Sequence, residues 1–483
     1  MERLTAFVQE HIADDTSRLI LNRSRWPEID MDLAVNCIES RRKLRGKVQE
    51  WVDNPDLIFP RKVSAEQCSS SATGRYKAEL AGRIFITADQ SDSNGTSESA
   101  PAMRLADLTG GLGVDSWYFS QKAEKVLYCE MLPELCRAAE HNFKVLDADN
   151  IEVRNHAVTS ISKSERTEGI RNDNVMSSEA GTSVFRTPEE ILKDFQADIV
   201  YMDPARRGEG GRKVFLIEDC TPDVLTLKDE VFRFSRHILL KLSPMADISM
   251  VCDRLGSCCR EVHVVAAGGE CKELLVWMDR EWSEEHTVYA VELHKDGSRT
   301  VFSFRPSEER IAGQVGNDGK GAKGIRADRI GEWAAIERTA DNKAYLFEPG
   351  KALMKAGAYN LIAERFGIHK LGRSTHYYIY DAHCNGHLEE IGSSDKPEGQ
   401  TSIKELQRIG KVFRIISCSP LNKRSIKAAG KEYPHSEVTA RNISMDTDTL
   451  RKKTGVTSGD DAHIFGLKSD SEGQLLFITR QFV

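Results

Sequence analysis

Two stretches of the chain combine residue types able to do chemistry with an order that a plain fold does not require. In the first, "ADIVYMDPARRGEGGRK", an apolar run ends in Asp203 and Pro204 and then releases Arg206, Arg207 and a glycine-rich turn. Strand termination explains part of this, because proline supplies no N–H to a ladder and glycines make turns. It does not explain an acid at the strand tip, which could be a cap or a hydrogen-bond acceptor for a ligand. The second, "DLTGGLGVD" (Asp107 to Asp115), sets Thr109, Gly110, Gly111 and Gly113 between a short apolar strand and a helix. Without Cβ atoms such a turn lets the backbone approach a ligand, and the helix N-terminus behind it favours negative charge.

The neighbours of the glycine turn narrow the ligand. After the helix, the strand "KVLYCE" ends at Glu130, roughly twenty residues beyond the turn, where a carboxylate can accept hydrogen bonds from both ribose hydroxyls. This suits NAD or S-adenosylmethionine. Asp107 and Asp115 are poor company for a pyrophosphate but reasonable company for an ammonium and a sulfonium, and "GGLG" is not G-x-G-x-x-G. S-adenosylmethionine is therefore favoured. Taken singly, Asp107 could cap the following helix and Glu130 could be a solvent-facing strand end; their order argues otherwise.

These residues need elements to position them. The first eighty residues read as helical, with Leu4, Phe7, Val8 and Ile12 on one face and Leu33, Ile38, Leu44, Val48 and Trp51 at similar spacing. Within them "SRRKLRGK" reads as a solvated basic face. The polar run "QSDSNGTSESAP" then gives way to strand, turn, helix and strand, the opening of a βαβ unit. Further strands at "IEVRNHAV", "ADIVYM", "RHILLKLSP", "EVHVVAAGG" and "KELLVWM" extend a doubly wound sheet from about Leu105 to Met278, interrupted by "SKSERTEGIRNDNVMSSEAG". In such a sheet ligands sit beyond the carboxyl ends of the strands near the switch point, which is where Asp203 arrives. Beyond Asp279 come the strands "TVYAVELH" and "TVFSFRP", the glycine-rich "GQVGNDGKGAKG", a helical "GKALMKAGAYNLIAERFG", and a mixed basic segment from about Lys411.

At 483 residues the chain is too long for one core. Its formal charge of −7 argues against a surface coated for nucleic acid, although distribution matters more than the sum. No apolar run approaches the roughly 20 residues of a membrane span. The N-terminus carries acids where a signal peptide would be basic, so a cytoplasmic location is expected. Eleven cysteines show no metal-type spacing. The close pair Cys258 and Cys259 is adjacent and cannot clamp zinc as C-x-x-C does, so no metal is expected.

The segments "ADLTGGLGVD", "VLYCE", "DIVYMDPARRGEGGRKV", "ILLKLSPM" and "EVHVVAAGGECKELL" resemble class I S-adenosylmethionine-dependent methyltransferases. They are most similar to a bacterial family that appends a ferredoxin-like region and a THUMP-like C-terminal domain. "NPDLIFPRKVSAEQCSSSATGRYKA", "YLFEPGKALMKAGAYNLIAERFGIHKL" and "ARNISMDTDTLRKKTG" extend the likeness over nearly the whole chain outside its low-complexity loops. The resemblance implies an α/β fold: a Rossmann-like doubly wound methyltransferase sheet with an N-terminal helical domain and C-terminal α+β domains. Expected boundaries are 1–80 (helical), 81–280 (methyltransferase), 281–405 (ferredoxin-like) and 406–483 (THUMP-like).

By the same resemblance Asp107, Thr109, Gly110, Gly111, Gly113 and Asp115 line the first cofactor loop, and Glu130 is the ribose carboxylate. Ser69, Ser70 and Thr73 of "QCSSSAT" cover the methionine end, or simply start a helix. Many relatives place an acid after the third strand for the adenine amino group; here Asn155 and His156 stand instead. Asp203 and Pro204 resemble the start of the Asp/Asn-Pro-Pro-aromatic motif of amino-group methyltransferases, in which the carboxylate accepts from the target amino group and proline aligns backbone carbonyls. Arg206 replaces the aromatic, so its guanidinium stacks on a base or grips phosphate; with Arg207 it is a substrate-binding candidate, a surface ion pair being the alternative. Carbon methylation would need a cysteine nucleophile, for which Cys220 and Cys271 are the candidates, and transfer to nitrogen is favoured.

Between Lys404 and Lys453 stand twelve basic and five acidic residues, interleaved with Phe413 and Tyr433. Basic groups neutralise phosphates and aromatic faces stack unpaired bases, so RNA, either tRNA or rRNA, is the expected partner. A non-catalytic RNA-binding protein, or a methyltransferase acting on a protein or small molecule, stays open at this level.

Overall fold

The computed structural model describes residues 2–92, 102–160, 184–206, 217–317, 344–381 and 403–482. Arg207, the side chain of Arg206 and the polar stretch 162–181 lie outside the described residues. The chain divides into two compact units, Met1–Ala267 with Lys272–His286, and Gly268–Cys271 with Thr287–Val483.

The first unit opens with helices α1 (Glu2–Glu10), α2 (Thr16–Leu21), α3 (Met31–Leu44), α4 (Gln49–Asp53), α5 (Lys62–Gln67) and α6 (Ser71–Asp92). Asp15 and Asp30 cap α2 and α3 by accepting from the N–H groups of Ser17 and Leu33. The run "SRRKLRGK" is not the solvated face expected of it. Arg41 is buried and donates to the carbonyls of Val52, Asn54, Pro55 and Leu57, while Lys47 donates to those of Ala65 and Glu66. Short helices joined by tight loops leave many carbonyls unpaired, and one guanidinium carries five donors in a fixed fork.

The sheet of this unit contains β1 (Arg104–Asp107), β2 (Lys125–Cys129), β3 (Ile151–Arg154), β4 (Ile199–Met202), β5 (His237–Leu242), β6 (Cys259–Ala267) and β7 (Glu270–Asp279). These lie in the order β6-β7-β5-β4-β1-β2-β3. Pairings among β1 to β5 are parallel, and β7 runs antiparallel to β5. Crossovers include α7 (Val114–Ser120), α8 (Pro133–Val145), α9 (Pro188–Leu192), α10 (Val224–Val231) and α11 (Ile248–Leu255). Helices on both faces explain why β4, "IVYM", is buried at every residue instead of alternating. Chain order reverses between β1 and β4, so the loops that follow these two strands flank the switch-point crevice. Registers Asp107 with Tyr201 and Met202 with Leu240 bring the ends of β1, β4 and β5 to one edge.

The second unit begins with the hairpin β8 (Thr287–Leu293) and β9 (Arg299–Phe304), followed by α12 (Pro306–Asn317). Its seven-stranded sheet is built from β10 (Ala344–Pro349), β11 (His369–Lys370), β12 (Tyr378–Asp381), β13 (Gly410–Pro420), β14 (His435–Arg441), β15 (Thr457–Ser469) and β16 (Gly473–Gln481), in the order β11-β12-β10-β13-β16-β15-β14. The expected helical stretch divides at Gly357 (φ +85°) into α13 (Lys351–Ala356) and α14 (Tyr359–Phe366). α15 (Ile403–Ile409), α16 (Lys423–Glu432) and α17 (Thr447–Thr454) complete the unit. Of the two aromatics expected to interleave with basic residues as stacking faces, Phe413 is interior and Tyr433 is half-buried. Phe413 is 2% exposed among Phe465 and Phe477, and Tyr433 packs against the core beneath α16. Among the described residues no helix is long and apolar enough to cross a membrane.

Candidate active site

Asp107 ends β1 and is 1% exposed. Its Oδ1 accepts from the Thr109 N–H at 3.0 Å and the Thr109 hydroxyl at 3.3 Å, and its Oδ2 accepts from Ser116 Oγ at 2.6 Å. Burial pushes this carboxyl up to about 7, against the pull of those donors. The residue therefore shapes the turn from below. Thr109 Oγ1 in turn accepts from the Asp203 N–H at 2.6 Å, so one hydroxyl fastens the loop after β1 to the loop after β4.

Two of the three glycines are small because of what lies beneath them. A Cβ on Gly110 would stand 2.2 Å from the Tyr128 ring, and one on Gly113 2.8 Å from Phe143. Gly111 (φ +56°) and Gly113 (φ +91°) both take the left-handed region, but Gly111 differs in its surroundings: the nearest atom to its would-be Cβ is the Thr109 carbonyl oxygen at 3.8 Å. Its N–H donates to Glu130 Oε2 at 2.9 Å, while Oε1 accepts from the Leu132 N–H at 2.9 Å. Burial raises the Glu130 carboxyl, opposed by those backbone donors. Each oxygen has a second lone pair, so the carboxylate can hold the loop and still accept from a pair of hydroxyls.

Asn155 follows β3, and its Nδ2 donates to the carbonyls of Glu130 at 2.9 Å and Met131 at 3.2 Å. It braces the segment carrying Glu130. His156 Nδ1 lies 2.7 Å from the Asn155 carbonyl oxygen. In "QCSSSAT" the hydroxyls are engaged within the protein. Ser70 and Thr73 bond reciprocally where α6 begins, and Ser69 Oγ donates to Asp115 Oδ2 at 2.9 Å.

Asp115, which sequence assigned to a ligand's positive charge, is held by protein groups. Lys77 Nζ lies 3.1 Å from its Oδ1, and the Tyr201 hydroxyl donates to its Oδ2 at 2.8 Å. Burial alone would raise this carboxyl; Lys77, Lys241 and the two hydroxyls together bring it below its ordinary value. Lys77 is 0% exposed and also bonds Ser69 Oγ at 2.6 Å and Glu273 Oε2 at 3.0 Å. Burial raises the Glu273 carboxyl, and Lys77 opposes the rise.

Asp203 stands just past β4 with its side chain 37% exposed, and Pro204 beside it is buried. Its Oδ2 accepts from Lys241 Nζ of β5 at 2.5 Å. Burial disfavours the Lys241 charge, but the carboxylates of Asp203, Asp115 and Glu273 outweigh it and hold the ammonium above its usual range. Sequence reasoning missed Lys241, Lys77, Glu273 and Tyr201. The available signal was a lone charge inside an apolar strand, "ILLKL", which demands a buried partner. Arg206 forms a two-residue ribbon with Cys220, which is buried. Cys271 lies in the second unit, donates to the Lys351 carbonyl, and is pushed by burial up to about 11.

Residues 345–385 match a family model described as a ferredoxin-like domain, and residues 410–481 match one described as THUMP domain-like. A crystal structure from Porphyromonas gingivalis W83, provisionally assigned as a methyltransferase, aligns at a TM-score of 0.70 and 25% identity over 100% of this chain and 98% of that one. The chain has the class I methyltransferase architecture with ferredoxin-like and THUMP-like additions. Weaker likenesses, too low to argue from, include a human methyltransferase 10 domain containing protein (TM-score 0.31, 12% identity, 52% of this chain and 96% of that one). Another is a Streptococcus mutans protein, provisionally assigned as a methyltransferase and solved with SAH (TM-score 0.25, 12% identity, 42% and 96%). No curated protein matches by sequence. On this architecture the loops after β1, β2, β3 and β4 form one rim, and they carry Gly111, Glu130, Asn155 and Asp203.

Proposed function

We propose that the protein is an S-adenosylmethionine-dependent methyltransferase acting on a base of tRNA or rRNA, with an amino nitrogen as acceptor. The observation that carries the reading is the Thr109–Asp203 bond of 2.6 Å, which fastens the acid of the β4 tip to the glycine loop. The donor set fits a nucleoside cofactor: Gly111 is open above its Cα, and Glu130 offers two oxygens beside it. When bound, S-adenosylmethionine supplies an electrophilic methyl group. Glu130 would take the ribose hydroxyls and Gly111 would let the backbone approach, while Asn155 keeps the Glu130 segment in place.

Asp203 would accept a hydrogen bond from the acceptor's amino group, and Lys241 on its other oxygen fixes the direction in which the remaining lone pairs point. Pro204 stiffens the turn, and Arg206 and Arg207 would contact the base or a phosphate. Such a site works chiefly by positioning. Nitrogen is favoured over carbon because Cys220 is buried and the Cys271 thiol is raised, so neither is a ready nucleophile. RNA is favoured by the THUMP-like match and by the exposed Lys423, Arg424, Lys427 and Lys431 of α16 with Lys452 and Lys453 of α17.

Calorimetry with S-adenosylmethionine, followed by transfer of labelled methyl to total RNA, tests the proposal. Label in RNA that disappears in Asp203→Ala is expected. Tight RNA binding without cofactor uptake would make the protein a scaffold, and uptake with label only in protein or small molecules would move the substrate class.

A further inference from the structure

Three soft donors meet at the α11 end of the first unit. Cys252 lies on α11, Cys259 is the first residue of β6, and His286 comes after β7; one ligating atom from each lies within 4.8 Å of the others. The two sulfurs are 3.5 Å apart and both cysteines are buried. We propose that Cys252, Cys259 and His286 bind a zinc-class divalent cation, with water as fourth ligand.

Tetrahedral zinc with Zn–S near 2.3 Å and Zn–N near 2.0 Å sets its ligand atoms roughly 3.5–3.8 Å apart, close to the observed sulfur separation. Two thiolates and an imidazole are also the donors that select zinc over the oxygen-seeking cations. The turn between α11 and β6 is built to aim both cysteines. Gly256 at φ +80° ends the helix, and Cys258 turns away to donate to the Leu255 carbonyl, leaving Cys259 to face Cys252. On binding, Cys252 and Cys259 would each give up the thiol proton to water and His286 would ligate as neutral imidazole. The ion would tie α11, β6 and the segment after β7 together. The sequence hid the cluster because its third ligand lies far along the chain from Cys259, outside any short metal motif.

The test uses the full chain, reduced and stripped with a chelator, then given cobalt(II) or zinc. One cobalt per chain with a thiolate-to-metal charge-transfer band is expected, displaced by zinc. The band should vanish in Cys252→Ser, Cys259→Ser and His286→Gln and persist in Cys258→Ser. Should a variant fail to fold, wild-type protein suffices: zinc must slow alkylation of Cys252 and Cys259 relative to Cys258. No band and no protection in reduced wild-type protein overturns the proposal, as does a band insensitive to Cys259→Ser. A Cys252–Cys259 disulfide that forms equally fast with and without zinc overturns it too.

Discussion

Replacing Lys77 by Met tests the buried charges behind the glycine loop. The ammonium is 0% exposed, 3.0 Å from Glu273 and 3.1 Å from Asp115. At an effective dielectric near 20, each contact is an attraction of about 5 kcal/mol. In the intact network the cost of desolvating the ions, several kcal/mol each, cancels most of that gain. Removing the cation alone leaves two buried acids facing each other and costs about 3–5 kcal/mol. For a unit of this size, about 2–4 °C per kcal/mol gives a fall of roughly 6–20 °C in the calorimetric transition of the first unit. Glu273→Gln in the same chain removes one stranded charge and should restore about half of the loss. Asp115 anchors α7, and its partner Tyr201 lies on the strand leading to Asp203, so cofactor affinity should fall with stability. A fall below about 2 °C, or a double variant no more stable than Lys77→Met, would refute the electrostatic account.

Asp203→Asn should lower methyl transfer at least about 100-fold with little change in cofactor affinity, because its work is alignment; single-turnover rates and calorimetry separate the two. Gly110→Ala drives a Cβ to within 2.2 Å of the Tyr128 ring and should cost about 1–3 kcal/mol in urea titration, largely recovered by Tyr128→Leu. Asp107 stands at about 7 in the folded chain and near 4 unfolded, so between those values the folded state holds a proton the unfolded state has lost. Stability from this group is complete below about pH 4 and falls by up to about 4 kcal/mol by pH 7, then stays level. Asp107→Asn should thus gain on wild type between pH 5 and 8 in denaturant midpoints. Exchanging Lys427 and Lys431 for Ala should flatten the salt dependence of RNA binding, by about 0.7 in slope for each single-strand phosphate that is no longer neutralised, without altering the melting of the first unit.

Residue order alone revealed the βαβ opening, the glycine turn, Glu130 and the Asp203 tip, because strand periodicity, left-handed turns and strand ends are local properties of the chain. The helical N-terminal region was legible for the same reason. Arg41 was not: a charge in a basic run looks solvated until the loop carbonyls of Val52 to Leu57 close over it. Composition points Phe413 and Tyr433 to a surface, whereas the pleat of β13 turns Phe413 inward. Lys241 and Lys77 carried a hint, since a cation in an apolar segment must find a partner, but Asp203, Asp115 and Glu273 lie on other elements. What sequence determined, then, is which backbone segments curl, extend and turn. Only tertiary packing decided which charges face one another and which of three glycines lies open, because these depend on contacts between residues far apart along the chain.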